Sequence, residues 1–433
     1  MNVDEIIKAT GGILLNKKTN KIINHFEVDT RKLKAKDGFI ALKTENRNGH
    51  DFIEEAIRKK ASVIIVSENV NICTKIPIIK VKDTYKCLFD LAKFMKEKYP
   101  IFSIAVTGSS GKTTTKELLY EVLSKEYSVL KNEGNYNNHI GVPLTLLNLN
   151  QKYDILLTEI GMNHKGEISK LSKLVKPDVG IITNIGTSHI GNLGSIRKIK
   201  KAKLEILDGM EDGLLFVNNQ NKYLKHIQND RIIKVPSNDI KIESIKGNLE
   251  KTEFTFMYQN QKYNIHFHGP QYLISNILLV LEVGLLTDIP ILKIIETIEN
   301  YQMYNHRMNI MKGKNILIDD CYNASFESLS SALELLKKEE KDKIIILGDM
   351  LELGKYSKKY HKKINKILKK IKNKRVFLRG EHTKYIFGKH FSSNQELIEY
   401  LKNMNIENTI IFIKGSRKIK LEEIVNYLNT YFV

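Results

Sequence analysis

The stretch that decides the fold reads VTGSSGKTTT and runs from Val106 to Thr115. The apolar run Ile101–Val106 in front of it predicts a buried strand, and Thr113–Leu123 behind it predicts a helix. A glycine-rich turn in that position lets backbone N–H groups converge on phosphate oxygens. The strict phosphate-binding pattern has glycine where this chain has Val106, yet Gly-Lys-Thr in this setting favours a nucleotide-binding loop over a plain turn.

The residue types within the loop suit phosphate chemistry. Gly108 and Gly111 let the backbone approach a phosphate, and the helix N-terminus adds partial positive charge. The ammonium of Lys112 can reach β- and γ-phosphates, and the hydroxyl of Thr113 is placed to bind Mg²⁺. The sequence therefore predicts a triphosphate with Mg²⁺ at this loop.

Outward from the loop, apolar runs bounded by turn residues alternate with amphipathic stretches through most of the chain. This alternation indicates an α/β fold with mainly parallel sheets. The predicted strands are Ile101–Val106, Ile155–Thr158, Val179–Thr183, Ile316–Asp319, Ile344–Leu347, Val376–Leu378 and Thr409–Ile413. The predicted helices are Thr113–Leu123, Leu273–Leu285, Glu327–Lys338, Lys358–Lys372, Gln395–Met404 and Leu421–Leu428.

The two series of strands are separated by a different pattern. Phe254–Tyr258 and Tyr263–Phe267 flank a polar Gln-Asn-Gln turn, which predicts a hairpin. We place domain boundaries near residues 85 and 303. The chain would then consist of a smaller α/β domain at 1–85, a central domain at 86–303 and a C-terminal domain at 304–433.

The charge of the chain is unusual. Its 433 residues include 69 Lys+Arg against 49 Asp+Glu, a formal net charge of +20. A surplus of this kind suits a polyanionic partner such as nucleic acid. Only nine of the basic residues are Arg, however, and nucleic-acid surfaces favour Arg for bidentate contacts. We therefore attribute most of the lysines to a general compositional bias and expect no nucleic-acid partner.

The sequence shows no export or membrane signal. The N-terminal Met1–Glu5 is acidic and lacks the basic-then-apolar layout of a secretory signal. The apolar stretch Leu273–Leu285 is interrupted by polar residues and is shorter than the ~20 residues that span a bilayer. The three cysteines are too few and too scattered for a disulfide framework. We expect a cytoplasmic protein without membrane insertion.

Three residues beyond the loop could add ligands to a metal bound by a triphosphate. Glu159 ends the strand Ile155–Thr158, so its carboxylate should emerge at the sheet edge that carries the loop. His189 follows the strand Val179–Thr183 after a short polar loop. Lys203 lies in a lysine-rich helix, where a solvated charge is the simpler interpretation. A solvated or structural role stays open for Glu159 and His189 as well.

Taken in order, the loop, Glu159, His189 and Lys203 resemble the Mur ligase superfamily of ATP-dependent amide-forming enzymes. Longer matches narrow the resemblance to the members that join D-alanyl-D-alanine to UDP-N-acetylmuramoyl-tripeptide. The resemblance covers essentially the whole chain. The matching segments are GSSGKTTTKE (Gly108–Glu117), GNYNNHIGVPL (Gly134–Leu144), DCYNA (Asp320–Ala324), LGDMLELG (Leu347–Gly354) followed by His361, KGSR (Lys414–Arg417) and the first-domain segments Asp29–Arg31, Gly38–Leu42 and Gly49–Phe52.

The resemblance implies a UDP-binding first domain, a central P-loop ATPase domain and a Rossmann-like third domain. It also implies a two-step reaction in cytoplasmic peptidoglycan precursor synthesis. The terminal carboxylate of the tripeptide would take the γ-phosphate of ATP to give an acyl phosphate, and the amine of D-Ala-D-Ala would then displace phosphate. A monomer is expected, and so is domain closure, because contacts to ATP come from two domains.

The resemblance also assigns roles to residues. Two Mg²⁺ ions would be held by Thr113, Glu159, His189 and Lys203, with Lys203 carbamylated so that an anion faces the metal. Catalytic roles would fall to Lys112, His189, Lys203 and Arg307. Asn276 would contact the adenine of ATP, and the third domain would contribute Arg307 and Asp320. The full set of expected ATP contacts is Thr107, Gly108, Ser109, Ser110, Gly111, Lys112, Thr113, Thr114, Asn276, Arg307 and Asp320. Thr30 and Arg31 would contact the uridine nucleotide of the substrate. Asn137 and Asn138 are expected as further substrate contacts.

The sequence departs from the superfamily pattern at Pro270–Tyr272, at Ser325–Phe326 and at Asn48. None of these is an expected phosphate or metal ligand, so we expect an active enzyme. Three alternatives stay open: a superfamily member that adds a single amino acid or glutamate, a basic P-loop protein that binds nucleic acid, and an inactive scaffold.

Overall fold

The computed structural model describes residues 1–16, 22–23, 25–44, 47–303 and 306–432. The elements of its N-terminal part are α1 (Val3–Thr10), β1 (Ile13–Leu14), β2 (Phe26–Glu27), β3 (Gly38–Ile40), β4 (Lys43–Thr44), β5 (Arg47–Asn48), α2 (Ile53–Arg58), β6 (Val63–Val66), β7 (Ile78–Lys80) and α3 (Thr84–Lys98). Five of the strands form a sheet in the order β1-β7-β6-β3-β2, in which β1 is antiparallel to β7 and the other pairs are parallel.

The central part carries the loop between its first strand and first helix. Its elements are β8 (Phe102–Thr107), α4 (Lys112–Leu123), β9 (Val129–Lys131), α5 (Gly141–Leu146), β10 (Ile155–Glu159), α6 (Glu167–Val175), β11 (Val179–Ile182), α7 (Ile190–Leu193), α8 (Ile196–Leu204), β12 (Leu214–Asn218), β13 (Ile232–Val235), β14 (Lys241–Gly247), β15 (Thr252–Tyr258), β16 (Gln261–Phe267), α9 (Ile274–Leu286) and α10 (Ile291–Asn300).

Six of these strands form a parallel sheet in the order β13-β12-β11-β8-β10-β9. Strands β10 and β11 are buried along their whole length, as expected for parallel strands covered on both faces. Because β10, β8 and β11 are neighbours, their carboxyl ends bring Glu159, the loop and the segment towards His189 to one edge.

The predicted hairpin is present as β15 and β16, and β14 completes a three-stranded antiparallel sheet. The two turn residues Gln259 and Asn260 both have positive φ, at 49° and 61°. Two successive residues in this region match the right-handed twist of hairpin strands. The inner face of this sheet packs in one core with α9 and β8.

The C-terminal part forms a second six-stranded sheet. Its elements are β17 (Asn309–Lys312), β18 (Ile316–Asp319), α11 (Phe326–Leu336), β19 (Asp342–Gly348), α12 (Ser357–Leu368), β20 (Lys374–Arg379), β21 (Lys389–Phe391), α13 (Asn394–Lys402), β22 (Thr409–Lys414) and α14 (Glu422–Tyr431). The strand order is β17-β18-β22-β19-β20-β21, with β17 antiparallel and the other pairs parallel.

The α/β class and the mainly parallel sheets are confirmed. Helix α12 ends at Leu368, four residues before the end predicted from the sequence. The boundary near residue 85 falls in the first turn of α3, whose Lys98 pairs with Glu5 of α1 at 2.6 Å. Residues 304 and 305, where the third domain is predicted to begin, lie outside the described residues, as does residue 433, and the domain division stays a prediction.

Among the described helices, none combines the length and the apolar character needed to cross a bilayer.

Candidate active site

Two glycines shape the loop between β8 and α4. Gly108 has a φ of 153° and Gly111 a φ of 80°, values that residues with a Cβ rarely adopt. A Cβ on Gly108 would lie 1.9 Å from Oγ1 of Thr183, and a Cβ on Gly111 would lie 2.4 Å from Nδ2 of Asn276. The loop therefore packs against both neighbouring segments, with no room for a side chain at either position.

Asn184 fixes the first half of the loop. Its Oδ1 accepts hydrogen bonds from the N–H groups of Ser109 and Ser110 at 3.0 and 2.8 Å, and its Nδ2 donates to Oγ of Ser110 at 2.6 Å. The first N–H groups of α4 have no acceptor within the helix and can face a phosphate. Sequence reasoning missed Asn184, although its position directly after the predicted strand Val179–Thr183 was a usable signal.

Lys112 folds back over the loop, where its Nζ donates to the carbonyl of Gly108 at 3.1 Å. It lines a large cavity, together with the other loop residues from Ser109 to Thr114. Thr107 is buried at the end of β8 and, like Gly108, does not line the cavity. The loop therefore presents one cation and several polar groups to the cavity.

Glu159 and Thr113 meet beneath the loop. Oγ1 of Thr113 donates to Oε2 of Glu159 at 2.7 Å, and Nδ2 of Asn137 donates to Oε1 at 2.7 Å. Glu159 is 2% exposed. Hydroxyl and carboxylate oxygens are the ligands that Mg²⁺ prefers, so this pair fits a divalent cation.

His189 and Lys203 both lie close enough to Lys112 of the loop to interact with its charge. Nδ1 of His189 is buried without a hydrogen-bond partner among the described atoms, 3.2 Å from Oε2 of Glu352. Burial, together with the nearby positive charges of Lys112 and Lys203, lowers the pKa of His189 to about 3, and burial is the largest of these causes. The imidazole is therefore neutral, and its unpaired nitrogen suits a metal ion.

Lys203 is 1% exposed and does not line the cavity. Burial holds its pKa well below the usual range, with Lys112 acting in the same direction and with Glu352 and Glu159 opposing it. Lysine at this position is therefore a buried amine beside the other candidate residues and not the solvated charge that its helix suggested.

The third part of the chain reaches into this site. Nη2 of Arg307 donates to Oγ1 of Thr113 at 3.1 Å, and its guanidinium lies over the ring of Tyr322 at 4.0 Å. Asp320 is paired with Lys414, whose Nζ also donates to the carbonyl of Asn323 at 3.1 Å. Burial raises the pKa of Asp320, and the Lys414 ammonium opposes that rise.

The other expected nucleotide and substrate residues are distributed over two places. Asn276 lines the cavity, and its Nδ2 donates to Oγ1 of Thr115 in α4 at 2.8 Å. Asn138 also lines the cavity, while its Oδ1 accepts from two backbone N–H groups. Thr30 is buried and donates to Glu55 at 2.8 Å, and Arg31 is exposed. Neither Thr30 nor Arg31 lines the cavity, so the structure does not bring them to the loop.

The cavity has a volume of about 1190 Å³ and lies between the central and C-terminal parts of the chain. It exceeds the roughly 300–1,000 Å³ of most small-molecule sites. Polar and charged groups from both parts line it, so it suits anionic substrates larger than one nucleotide.

Comparison with known proteins agrees with this geometry. Residues 106–284 match the Mur ligase middle domain, and residues 306–417 match the Mur ligase glutamate ligase domain. The UDP-N-acetylmuramoyl-tripeptide–D-alanyl-D-alanine ligase of Bacillus subtilis is 34% identical over 448 residues, covering 99% of this chain and 97% of that protein. The enzyme of the same name from Escherichia coli is 32% identical, covering 92% of each chain.

Solved structures give the same result. MurF from Acinetobacter baumannii superimposes with a TM-score of 0.92 at 27% identity, covering 99% of this chain and 98% of that one. MurF from Thermotoga maritima, solved in complex with ADP, has a TM-score of 0.83 at 24% identity, covering 94% and 97%, and supports the fold.

Proposed function

The chain belongs to the Mur ligase family, and we propose from that premise that it joins D-alanyl-D-alanine to UDP-N-acetylmuramoyl-tripeptide at the cost of ATP. The observation that carries the proposal is the assembly of Lys112, Thr113, Glu159 and His189 around one loop, with Arg307 reaching Thr113 from the third part of the chain. The relatives that carry this name match over nearly their whole length.

The first step transfers the γ-phosphate of ATP to the terminal carboxylate of the tripeptide. A carboxylate oxygen forms a bond to phosphorus, and the bond from phosphorus to the bridging oxygen of ADP breaks. Lys112 and Arg307 stabilise the negative charge that the transferring phosphate carries. Mg²⁺, held by Thr113 and Glu159 at one site and by His189 at a second, would screen the two anions as they approach.

Lys203, as a carbamate, would hold the second Mg²⁺ together with His189. Its amine is buried and has a strongly lowered pKa, which supports the neutral form that can attack carbon dioxide. The nitrogen forms a bond to the carbon of carbon dioxide and releases one proton, which leaves an anionic carbamate. A carbamate offers Mg²⁺ an oxygen ligand, whereas an ammonium group would repel it.

The second step forms the amide. The amine of the dipeptide attacks the acyl carbon, the bond from that carbon to the phosphate oxygen breaks, and the nitrogen loses its proton as inorganic phosphate leaves. Residues from both parts of the chain line the cavity in which the acyl phosphate would form.

Each of the three domains has its own binding role. The domain at 1–85 binds the UDP group through Thr30 and Arg31, and the domain at 86–303 binds ATP. The domain at 304–433 contributes Arg307 and Asp320. Asn276 contacts the adenine, Asn137 and Asn138 contact the peptide substrate, and the enzyme acts as a cytoplasmic monomer.

A substrate-omission assay tests the proposal. Phosphate release from ATP should require the tripeptide nucleotide and D-Ala-D-Ala together, and single amino acids or glutamate should not replace the dipeptide. Phosphate release that is unaffected by omitting the dipeptide, or that is supported equally by a single amino acid, would overturn the assignment.

A further inference from the structure

Among the described residues, five carboxylates line the cavity, and four of them accept well-formed hydrogen bonds from the protein. The lining carboxylates are Glu159, Glu167, Asp320, Glu327 and Glu352. The partners are Thr113 and Asn137 for Glu159, the backbone of Asn163 and His164 for Glu167, Lys414 for Asp320 and Thr187 for Glu327.

Glu352 differs from the other four. Among the described residues, no side chain donates a hydrogen bond to its carboxylate; the 3.2 Å contact with Nδ1 of His189 lacks hydrogen-bond geometry. Its side chain is 40% exposed, and it lines the cavity. Besides its contact with the backbone of His189, this carboxylate keeps lone pairs that no side chain occupies, and they are free to accept hydrogen bonds from a substrate.

The backbone around Glu352 is held by the central part of the chain. Glu352 has a φ of 70°, and its carbonyl accepts a hydrogen bond from the N–H of Gly191 at 2.9 Å. A Cβ on Gly191 would lie 2.7 Å from the nitrogen of Gly354, so the two segments touch through their backbones. Glu352 therefore enters the cavity only when the third part of the chain is docked.

The charges of the reactants assign a role to this carboxylate. ATP and the tripeptide carboxylate are anions, and the positive charges of Lys112 and Arg307 stabilise them. The amine of the incoming dipeptide is the one reactant that arrives as a cation, and it needs an anionic acceptor near the acyl phosphate. We infer that the carboxylate of Glu352 holds the ammonium group of the dipeptide, an inference that rests on the proposed function.

The experiment compares two nucleophiles in the full-length protein. Hydroxylamine, which is uncharged at neutral pH, traps the acyl phosphate as a hydroxamate and needs no carboxylate to bind it. In Glu352→Gln, hydroxamate formation should equal that of the wild type. The KM for D-Ala-D-Ala should rise roughly 10- to 100-fold, the usual effect of losing a hydrogen bond to a charged group.

Two control variants accompany it. Glu352→Asp keeps the charge and should recover part of the affinity for the dipeptide. Glu381→Gln removes an exposed carboxylate from the same part of the chain, outside the cavity, and should change neither reaction.

Two results would overturn the inference. One is a wild-type KM for D-Ala-D-Ala in Glu352→Gln. The other is an equal loss of hydroxamate and amide formation, which would assign Glu352 to the first step, for example as a metal ligand beside His189. Failure of the wild type to form either product would instead reject the proposed function.

Discussion

Lys203 is a basic residue that is 1% exposed, and among the described residues no carboxylate forms an ion pair with it, although Glu352 and Glu159 act on it electrostatically. An unpaired ammonium group in such a position is strongly disfavoured. Two chemical forms relieve this cost: the neutral amine, and the carbamate bound to a metal ion. The residue therefore gains its function from its surroundings, which the lysine-rich sequence of α8 does not reveal.

The proposed carbamylation of Lys203 predicts a bicarbonate-dependent enzyme. Lys203→Ala should lower kcat roughly 10- to 100-fold, as expected for loss of a group that orients a metal, and a short carboxylic acid should restore part of the activity. Native mass spectrometry of the wild type should show the added mass of one carbon dioxide, which acid removes. Full activity of Lys203→Arg, together with an unmodified mass of the wild-type protein, would contradict this prediction.

At the residue scale the sequence predicts the loop ligands but not their supports. Lys112, Thr113 and Glu159 follow from the Gly-Lys-Thr motif and from a charged residue at a strand end. Asn184 and Glu352 do not, because a hydrogen bond to a loop and an approach from another part of the chain depend on tertiary structure.

At the scale of elements, the loop and the two strands beside it form one packed unit. Oγ1 of Thr183 donates to the carbonyl of Ser110 at 2.6 Å, and Gly108 lies against the same threonine. This contact holds the turn in the conformation that exposes the N-terminus of α4. The loop geometry therefore depends on β11 as well as on its own sequence.

Gly108→Ala should abolish ATP binding, because the added Cβ would lie 1.9 Å from Oγ1 of Thr183 and displace the loop. Gly166→Ala is the matched control. Its φ of 88° is also positive, but no atom lies within 4 Å of the new Cβ. It should lower stability by roughly 1–2 kcal/mol and leave nucleotide affinity unchanged. Calorimetric titration with an ATP analogue measures the nucleotide affinity of both variants. Wild-type affinity in Gly108→Ala would contradict this prediction.

Helix α9 contains a buried acid, Glu282, whose Oε1 accepts from the N–H of Ser237 at 2.7 Å. Burial raises the pKa of Glu282 from 4.5 to about 7. Between these values the folded chain keeps a proton that the unfolded chain has lost, so the free energy of unfolding falls as pH rises. Above about 7 the folded chain carries a buried negative charge.

Glu282→Gln keeps the acceptor oxygen and removes this titration. Near about pH 8.5 the variant should be more stable than the wild type by an amount on the order of 2 kcal/mol, and near about pH 4 the two should agree. Chemical denaturation at both pH values measures the difference. Equal stability of the two proteins at high pH would contradict this prediction, because ionisation of Glu282 would then not lower the free energy of unfolding.

The elements that the sequence predicts are those with continuous apolar runs. Ile316–Asp319 matches β18, and the other six predicted parallel strands lie within two residues of β8, β10, β11, β19, β20 and β22, whereas β9, β12, β13 and β21 have no predicted counterpart. Strand β14 reads KIESIKG and lies at an exposed edge of its sheet. Charged residues interrupt its apolar residues, so the sequence has no continuous apolar run that would predict a strand. The strands of two or three residues in the N-terminal sheet are too short for any periodicity.

At the scale of the whole molecule, the contacts that dock the C-terminal part on the central part include three besides the hydrogen bond from Arg307 to Thr113. Glu327 accepts hydrogen bonds from the N–H and hydroxyl of Thr187 at 2.9 and 2.8 Å. The hydroxyl of Tyr356 donates to the carbonyl of Gly194 at 2.6 Å. The closely packed backbones at Gly191 form the third contact. Together they complete the cavity, which explains why the active site needs both parts.

Gly191→Ala should weaken this docking, because its Cβ would lie 2.7 Å from the nitrogen of Gly354 and 2.8 Å from the carbonyl oxygen of Glu352. We expect a larger radius of gyration in solution scattering and a lower kcat, with an unchanged melting temperature. Asn192→Ala, an exposed change in the same helix, is the control and should behave as the wild type. A compact, fully active Gly191→Ala would contradict the docked arrangement.

The central claim is that one carboxylate oxygen of the tripeptide passes to phosphate during amide formation. The direct measurement uses UDP-N-acetylmuramoyl-tripeptide labelled with a heavy oxygen isotope in its terminal carboxylate, with ATP, Mg²⁺ and D-Ala-D-Ala. The account predicts that each released phosphate carries one heavy oxygen and that the nucleotide product grows by the dipeptide. Unlabelled phosphate, or label found in a nucleoside monophosphate, would contradict it.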